Sequence, residues 1–448
     1  MSEDANIDID LISRLLKDGE NDLLEKTLSS YHPADVARLM NELPINEVKE
    51  IFYLLNPKIS SEIIMDLNEE AVESILEDME SKRVSEIVDH MASDDAADLL
   101  GTLSKREAEE VLDHIPEEDT KHIRDLMEFE EDTAGGIMQS EIATVNVNSK
   151  VSEVITVLRN MKDEMDDVHN IFVTDNEQRL VGVLAMRKLV LEEPDTQISD
   201  IMDHEFVSAH YAQDQEEVAR IFKKYDLISL PVVDDNGRLL GRITIDDVVD
   251  VIEEEASEDM FKMAGAGADD ILPMSIMKSA KSRLPWLFAS CLGGIAALKI
   301  IGGFETTMER FVSLAAFMPV ILGMGGNVGT QSTTIIVRGL AMGNVEVKMI
   351  WRLIFKEVRV GLMLGIFYGL FLAIAAQIIY PYNLRLSLIV GLSMCSSMTM
   401  AATMGTMMPI LLHKIGADPA VATGPFVTTS VDIMGILIFL NIAAFILM

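Results

Sequence analysis

The spacing of hydrophobic residues divides the chain into three stretches. Residues 34–115 repeat their apolar positions every 12 residues, residues 136–255 alternate short apolar runs with turn residues, and long apolar runs fill the chain after residue 283. These patterns are typical of short helices, of mixed strands and helices, and of membrane-spanning helices, in that order. We therefore expect a multidomain protein whose front part is soluble and whose back part lies in a membrane.

The repeat in the first stretch predicts an array of short helices over residues 1–130. Each unit has apolar residues at i, i+1 and i+4, and cap or turn formers such as Pro44, Asn56 and Asn68 separate the units. One unit is too short to bury its apolar stripe alone, so we expect the helices to stack into an α-superhelical N domain. The three series are Leu39, Ile51, Ile63, Ile75, Ile87, Leu99 and Val111; Met40, Phe52, Ile64, Leu76, Val88, Leu100 and Leu112; and Leu43, Leu55, Leu67, Met79, Met91, Leu103 and Ile115.

The second stretch contains two similar halves, residues 131–199 and 200–257. Val173 and Asp175 correspond to Val232 and Asp234, 59 residues later, and each half predicts helices around two strands joined by an Asp/Asn turn. The halves resemble a pair of α/β CBS domains, most clearly in residues 241–247, Gly-Arg-Ile-Thr-Ile-Asp-Asp. That resemblance implies an adenine nucleotide such as ATP as a ligand, with Thr244 and Asp247 at its ribose; alternatively, Asp247 caps the helix that begins there.

The third stretch predicts a transmembrane domain of five helices over residues 284–448, after a connecting (plug) helix at 258–283. Each apolar run is long enough for a bilayer core of about 30 Å. Basic residues flank the start of the first run and fill the loop after the second, which predicts a cytoplasmic N-terminus and an extracellular C-terminus. The acidic start of the chain predicts no cleaved signal peptide. The predicted spans are residues 285–304, 311–338, 358–380, 386–412 and 420–447.

Charge is distributed as unevenly as hydrophobicity. The first 282 residues hold 67 of the 73 acidic and 26 of the 36 basic residues. Such a negative field repels nucleic acid and attracts cations, so we expect no nucleic-acid partner. Cys291 and Cys395 both lie in apolar runs, which argues against a disulfide framework or a zinc site. The absence of a Gly-Lys dipeptide excludes a P-loop, and no nucleophile–base set is apparent, so we do not expect an enzyme.

One acidic residue lies inside the last apolar run. Asp432 is the single acid between Pro419 and Met448. A carboxylate at that depth costs about 2.5–3.5 kcal/mol on insertion scales, so it is expected to face a polar pathway or a partner. The alternative is a carboxylate capped by the hydroxyls of Thr428 and Thr429.

The second run contains a polar, glycine-rich segment from Pro319 to Thr334, which includes Gly325, Gly326 and Asn327. Small residues allow helices to pack closely, which is one interpretation. The other is a water-filled path lined by the Asn327 amide and by backbone carbonyls freed near the glycines.

Acidic clusters in the soluble part suggest cation sites. Asp94, Asp95 and Asp98 open one helix, where they could compensate the helix dipole or bind a divalent cation. The last helix of the second half is so acidic that counterions are expected. Since the oxygen donors come without His or Cys, magnesium or calcium is favoured over zinc. The acids concerned there are Asp246, Asp247, Asp250, Glu253, Glu254, Glu255, Glu258 and Asp259, with Asp214, Glu216 and Asp226 nearby in sequence.

Taken together, the chain resembles the MgtE family of magnesium channels. The domain order agrees, and residues 323–331 and the segment Gly424-Pro-Phe-Val-Thr-Thr-Ser-Val-Asp432 are specific. The resemblance implies a homodimer that takes up Mg²⁺ across the plasma membrane through one pore lined by the second and fifth spans. Asp432 would be the selectivity carboxylate, with Asn327, Thr428, Gly325 and Gly326 beside the path. Regulatory magnesium that closes the pore would bind at Asp98, Gly136, Asp214, Glu216, Asp226, Asp247, Asp250, Glu255, Glu258 and Asp259.

Two other functions remain open from the sequence. In a cation-coupled secondary transporter, Asp432 would alternately bind a proton or a metal. A CBS-regulated membrane scaffold would conduct no ions at all.

Overall fold

The computed structural model describes residues 8–160, 168–266, 276–342, 349–422 and 424–447. The chain forms two compact units, Met1–Asp250 and Val251–Met448. The division falls within one long helix.

The first unit begins with an array of short helices. Asn56 and Asn68 cap α5 and α6 through their side-chain oxygens, as expected for N-cap asparagines. Most helices from α3 onward pack against the helix two places further along the chain. Within the described residues the array consists of α1 (Ile9–Asp18), α2 (Asn21–Leu28), α3 (Pro33–Asn41), α4 (Ile45–Leu54), α5 (Pro57–Ile64), α6 (Glu69–Glu77), α7 (Ser81–Val88), α8 (Ser93–Gly101), α9 (Lys105–Leu112) and α10 (Glu117–Leu126).

The apolar repeat explains the core of this array. Every member of the first two predicted series is buried, from Leu39 to Val111 and from Met40 to Leu112. The third series is buried at Leu55, Leu67 and Ile115 and half-buried elsewhere. The prediction of stacked short helices is confirmed.

The rest of the first unit consists of two matching α/β halves. In each half, the first two strands are parallel and the last two are antiparallel. Val173 pairs with Gly182, and Val232 pairs with Gly241. The two halves therefore share the same strand register as well as a similar sequence. The elements are β1 (Thr144–Asn146), α11 (Val151–Asn160), β2 (Asn170–Thr174), β3 (Leu180–Ala185), α12 (Met186–Leu191), α13 (Ile198–Ile201), β4 (Ala209–His210), α14 (Gln215–Tyr225), β5 (Ser229–Val233), β6 (Leu239–Thr244) and α15 (Ile245–Ala264).

The second unit is helical. Five of its described helices are long and apolar enough to cross a membrane. α20 is the central one and packs against α18, α19 and α21, while α16 packs on α21. After the end of α15, the elements are α16 (Ile276–Gly302), α17 (Glu305–Arg310), α18 (Ser313–Ala341), α19 (Ile350–Ile379), α20 (Leu384–Lys414), a 3-10 turn (Ala420–Ala422) and α21 (Pro425–Leu447).

Some helix limits differ from the prediction. α15 continues to Ala264, past the predicted domain limit at residue 257, because no Gly or Pro interrupts it before Gly265. α16 and α19 begin at Ile276 and Ile350, earlier than the predicted spans, because polar residues extend a membrane helix into the interface. Part of the predicted connecting helix, residues 267–275, lies outside the described residues.

Candidate ion sites

Asp432 lies in the second turn of α21 and is half-buried. Among the described residues, no donor or cation contacts its carboxylate. The hydroxyl of Thr428 instead donates to the Gly424 carbonyl at 3.3 Å, and that of Thr429 donates to Ser290 Oγ at 3.4 Å. These bonds are directed away from Asp432, so the capped-carboxylate interpretation gains no support.

Part of the exposed surface of α18 is polar. Asn327, Thr330, Gln331 and Thr334 are all exposed, and their spacing of three and four residues places them on one side of the helix. The helix is continuous through the glycine-rich segment, so the prediction of backbone carbonyls freed near the glycines is wrong. The polar groups available on this face are side chains.

The glycines of this segment have different surroundings. Gly325 is buried, and a Cβ there would lie 3.2 Å from Ser397 Oγ and 3.4 Å from Val431. Gly326 is half-buried and faces open space. Gly325 therefore brings α18 close to α20 and to the residue preceding Asp432, as the helix-packing interpretation predicts.

A second membrane carboxylate was missed in the sequence. Glu357 is only 4% exposed and lies inside α19, whereas the predicted third span began at residue 358. It accepts a hydrogen bond from Ser332 Oγ of α18 at 3.1 Å. Asp432 was identified as an acid inside an apolar run. Glu357 meets the same criterion if the predicted third span begins one turn earlier.

In the first unit, the structure brings the acids of α8 against those at the start of α15. Asp94 is 5% exposed, and its Oδ1 has no hydrogen-bond partner within the described residues. Ser93, at the first turn of α8, donates to Glu141 Oε2 at 2.9 Å and accepts from the Ser140 amide at 2.8 Å. These bonds hold α8 against the first α/β half, and Asp94 and Asp95 lie close enough to Asp247 of the second half for its charge to act on them.

The electrostatics of this acidic cluster are unfavourable when every member is ionised. Burial, followed by the charges of Asp247 and Asp95, raises the pKa of Asp94 well above its usual value. Burial, with the charges of Asp247, Asp98, Asp246 and Asp250, raises the pKa of Asp95 to about 7. Burial also raises the pKa of Asp247 to about 6, although Thr244 lowers it by donating hydrogen bonds. A proton or a metal cation would relieve the repulsion.

Asp247 also caps its own helix. Its Oδ2 accepts from Thr244 Oγ1 at 2.5 Å, from the Thr244 amide at 3.3 Å and from Gln139 Nε2 at 3.3 Å. This is the helix-cap alternative to a ribose contact, and it is the arrangement observed.

Three other predicted ligands of the first unit, Gly136, Asp214 and Asp226, lie near the two ends of α14. Asp214 caps α14 by accepting from the Glu216 amide at 2.9 Å, and it pairs with Thr133, three residues before Gly136. Gly136 itself is pressed against the backbone, since a Cβ there would lie 2.6 Å from the Glu130 carbonyl. Asp226 ends α14, about 18 Å from Asp214 along the helix axis, so it does not join them.

The second unit holds another group of charges. Lys262 of α15 contacts Glu258 at 2.5 Å and Asp418 at 2.8 Å. Burial lowers the pKa of Lys262, but its hydrogen bonds to Asp418 and Glu258 outweigh this and raise it. Burial and the charge of Asp418 raise the pKa of Asp259. Glu255 is half-buried one turn earlier on the same helix.

Comparison with known proteins identifies the family. A model described as "Divalent cation transporter" matches residues 318–442, one for the "MgtE intracellular N domain" matches 31–132, and CBS domains match 134–194 and 198–254. The magnesium transporter MgtE of Enterococcus faecalis is 37% identical over 72% of this chain and 71% of its own length. The chain belongs to the MgtE family.

Other MgtE proteins agree with this assignment. Those of Bacillus subtilis and Thermus thermophilus are 37% and 38% identical, each over 72% of both chains. The cytosolic domain of the Mg²⁺ channel MgtE in complex with ATP superposes with a TM-score of 0.51 at 33% identity, over 54% of this chain and 98% of that one. With five helices long and apolar enough to cross a membrane, the chain is a multi-pass membrane protein, and its relatives are named as transporters.

Among the residues that the structure describes, the acids do not form a closed metal site. Within the described residues, no three acidic, His or Cys side chains converge closely enough to hold a metal ion. The donor chemistry nevertheless fits magnesium, because the acids around α8 and α15 supply only oxygen atoms and Asp94 Oδ1 has no hydrogen-bond partner in the part of the chain that the structure describes. Magnesium usually keeps several waters, so widely spaced carboxylates suit its hydrated form.

Proposed function

We propose that this chain forms a homodimeric Mg²⁺ channel of the plasma membrane, closed from the cytoplasmic side by Mg²⁺ bound to its acidic domains. The observation that carries the proposal is Asp432, a half-buried carboxylate in the fifth span without a donor or cation among the described residues. A carboxylate at this depth needs water, a cation or a polar partner.

Dimerisation would supply a path for the ion. Asn327, Thr330, Gln331 and Thr334 form an exposed polar face on α18, which is unfavourable against lipid. Gly325 packs α18 beside Val431, next to Asp432, so the two polar features belong to neighbouring helices. A second copy related by a two-fold axis would enclose both features in one water-filled pore.

Selectivity would follow from hydration. Magnesium dehydrates reluctantly, so a pair of Asp432 carboxylates at the axis would hold the ion through its water shell. The pore would then select by the size of the hydrated ion.

Closure would follow from neutralising the acidic cluster. Shifting a gate from 1:99 to 99:1 takes about 5.5 kcal/mol. One site that binds only the closed state supplies about 1.4 kcal/mol at ten times its dissociation constant, so about four sites suffice. The acids of α8 and α15 in the first unit, Asp214 beside Gly136, and the Glu258–Asp259 group in the second unit are the proposed sites, with Asp98, Glu216, Asp226, Asp246, Asp250 and Glu255 as further ligands.

Two further features concern the orientation of the chain in the membrane and the binding of a nucleotide. The basic residues Lys281 and Arg283 near the start of α16, and Arg352, Lys356 and Arg359 near the start of α19, favour a cytoplasmic first unit and an extracellular C-terminus. The ATP complex of the related cytosolic domain supports ATP binding at the CBS pair. There, the ribose would have to share Asp247 with its helix-capping bond to Thr244.

The test is a patch recording at a series of internal Mg²⁺ concentrations. We expect single-channel currents at low internal Mg²⁺ that disappear as it rises, and no Mg²⁺ current from Asp432→Ala or Asp432→Asn in a dimer that elutes normally. Glu305→Gln, which removes an exposed acid from the short helix α17, serves as the matched control. Flux without unitary currents would indicate a cation-coupled carrier, and normal flux through Asp432→Asn would overturn the pore assignment.

A further inference from the structure

Glu357 is a buried carboxylate that the proposed pore and sensor leave unused. Only two acids lie within the five spanning helices, Asp432 in α21 and Glu357 in α19. Glu357 is 4% exposed, and among the described residues its Oε2 accepts from Ser332 Oγ at 3.1 Å while its Oε1 lies 3.4 Å from Lys356 Nζ. Lys356 has 61% of its side chain exposed, so Ser332 is the buried partner.

The bond joins α19 to the rear of α18. Ser332 is 4% exposed and follows Asn327 by five residues, which places it about 140° around the helix from Asn327. Glu357 therefore contacts the side of α18 opposite its exposed polar face. An apolar contact could slide, but a hydrogen bond to a carboxylate is directional and about twice as strong as a neutral one.

Apolar packing near Ser332 is not directional. The neighbouring cluster consists of Ile336, Leu340, Ile350 and Ile410. Lipid offers no hydrophobic force to hold one orientation, so polar contacts between helices take that role.

We propose that Glu357 is a positioning residue for ion conduction, which fixes the rotation of α18 through Ser332 and so sets the polar face presented to the hydrated cation. This inference rests on the proposed function, since it takes α18 to line the pore. Glu357 itself does not touch the ion.

The flux test compares variants that break the bond with variants that keep it. Glu357→Ala and Ser332→Ala should each lower maximal Mg²⁺ flux at least about tenfold, and the double variant should be no worse than either, because both remove one interaction. Glu357→Gln and Ser332→Thr should stay within about threefold of wild type, since each can still form the bond. If Glu357→Gln lowers maximal Mg²⁺ flux as much as Glu357→Ala does, the charge of Glu357 matters rather than its hydrogen bond, and the positioning role is overturned.

The chain offers a matched control at the other end of α19. Ser387 of α20 is 5% exposed and donates to Gln377 Oε1 at 2.9 Å, so Ser387→Ala also removes a partly buried hydrogen bond between two spans. We expect near-normal flux from it. If Ser387→Ala lowers Mg²⁺ flux as much as Ser332→Ala does, the loss of flux reflects general helix packing, and the proposal is overturned.

Cysteine labelling reads the rotation directly, independently of flux. In a Cys291→Ser, Cys395→Ala background, Thr330→Cys on the exposed face should react with a charged thiol reagent, and Val328→Cys, at a position 5% exposed, should not. Adding Glu357→Ala should make Val328→Cys reactive. Unchanged labelling would overturn the inference alone, whereas normal flux through Asp432→Asn would overturn the proposed function instead.

Discussion

At the residue scale, the acids around α8 are held together against their own repulsion. Ser93 fastens α8 to Ser140 and Glu141, and the fold thereby brings Asp94 and Asp95 against Asp247. Their pKa values are raised, so the folded form binds protons more tightly than the unfolded chain does.

The sign of the resulting pH dependence follows from linkage. Protons released as the pH rises through about 6 for Asp247 and about 7 for Asp95 leave like charges buried, so the stability of this contact falls from about pH 4, the ordinary pKa of an aspartate, to about pH 7. Without divalent cations, we expect amide hydrogen exchange in α8, corrected for intrinsic rates, to be at least about tenfold faster at pH 8 than at pH 5.5. Millimolar Mg²⁺ should restore protection at pH 8.

Substitution provides the control for this prediction. Asp95→Asn should flatten the pH dependence, while Asp113→Asn, at an exposed position after α9, should leave it unchanged. Protection that rises with pH in the wild type would contradict the assigned cause.

At the element scale, glycines determine how closely the membrane helices approach. Gly361, Gly365 and Gly369 place α19 against α20, and a Cβ on Gly365 would lie 2.7 Å from the Cys395 carbonyl. Backbone cannot move aside as a flexible side chain can.

We therefore expect Gly365→Ala to destabilise the membrane unit by about 1–3 kcal/mol, the usual range for overpacking. Gly294→Ala in α16 is the matched control, since nothing lies within 4 Å of its added Cβ and alanine favours a helix. Thermal unfolding in detergent, followed by the fluorescence of Trp286 and Trp351, compares the two. Equal stability of the two variants would show that α19 can move away from α20 without loss.

At the scale of the whole molecule, charge and hydrophobicity are separated along the chain. The strongly acidic part repels itself, and a divalent cation that binds its folded form stabilises that form by mass action. A cation at ten times its dissociation constant contributes about 1.4 kcal/mol per site.

For a soluble fragment of residues 1–264, we expect Mg²⁺ to raise the melting temperature by about 3–5 °C per site, as appropriate for a unit of this size. Potassium chloride at equal ionic strength should do much less, because screening is not site binding. Combining Asp94→Asn, Asp95→Asn and Asp247→Asn should remove most of the difference. Equal shifts with both salts, measured by circular dichroism, would argue against specific sites.

Local patterns in the sequence determined the architecture. The period of 12 predicted the buried series from Leu39 to Val111, the repeated halves predicted two matching pairs of strands, and five apolar runs predicted the spans, because periodicity and transfer energy act within a segment. Asp432 could be found in the same way. Only the tertiary structure decided which distant groups meet: Asp94 with Asp247, Lys262 with Asp418, and Glu357 with Ser332. Such contacts depend on how whole elements pack, which no local pattern records.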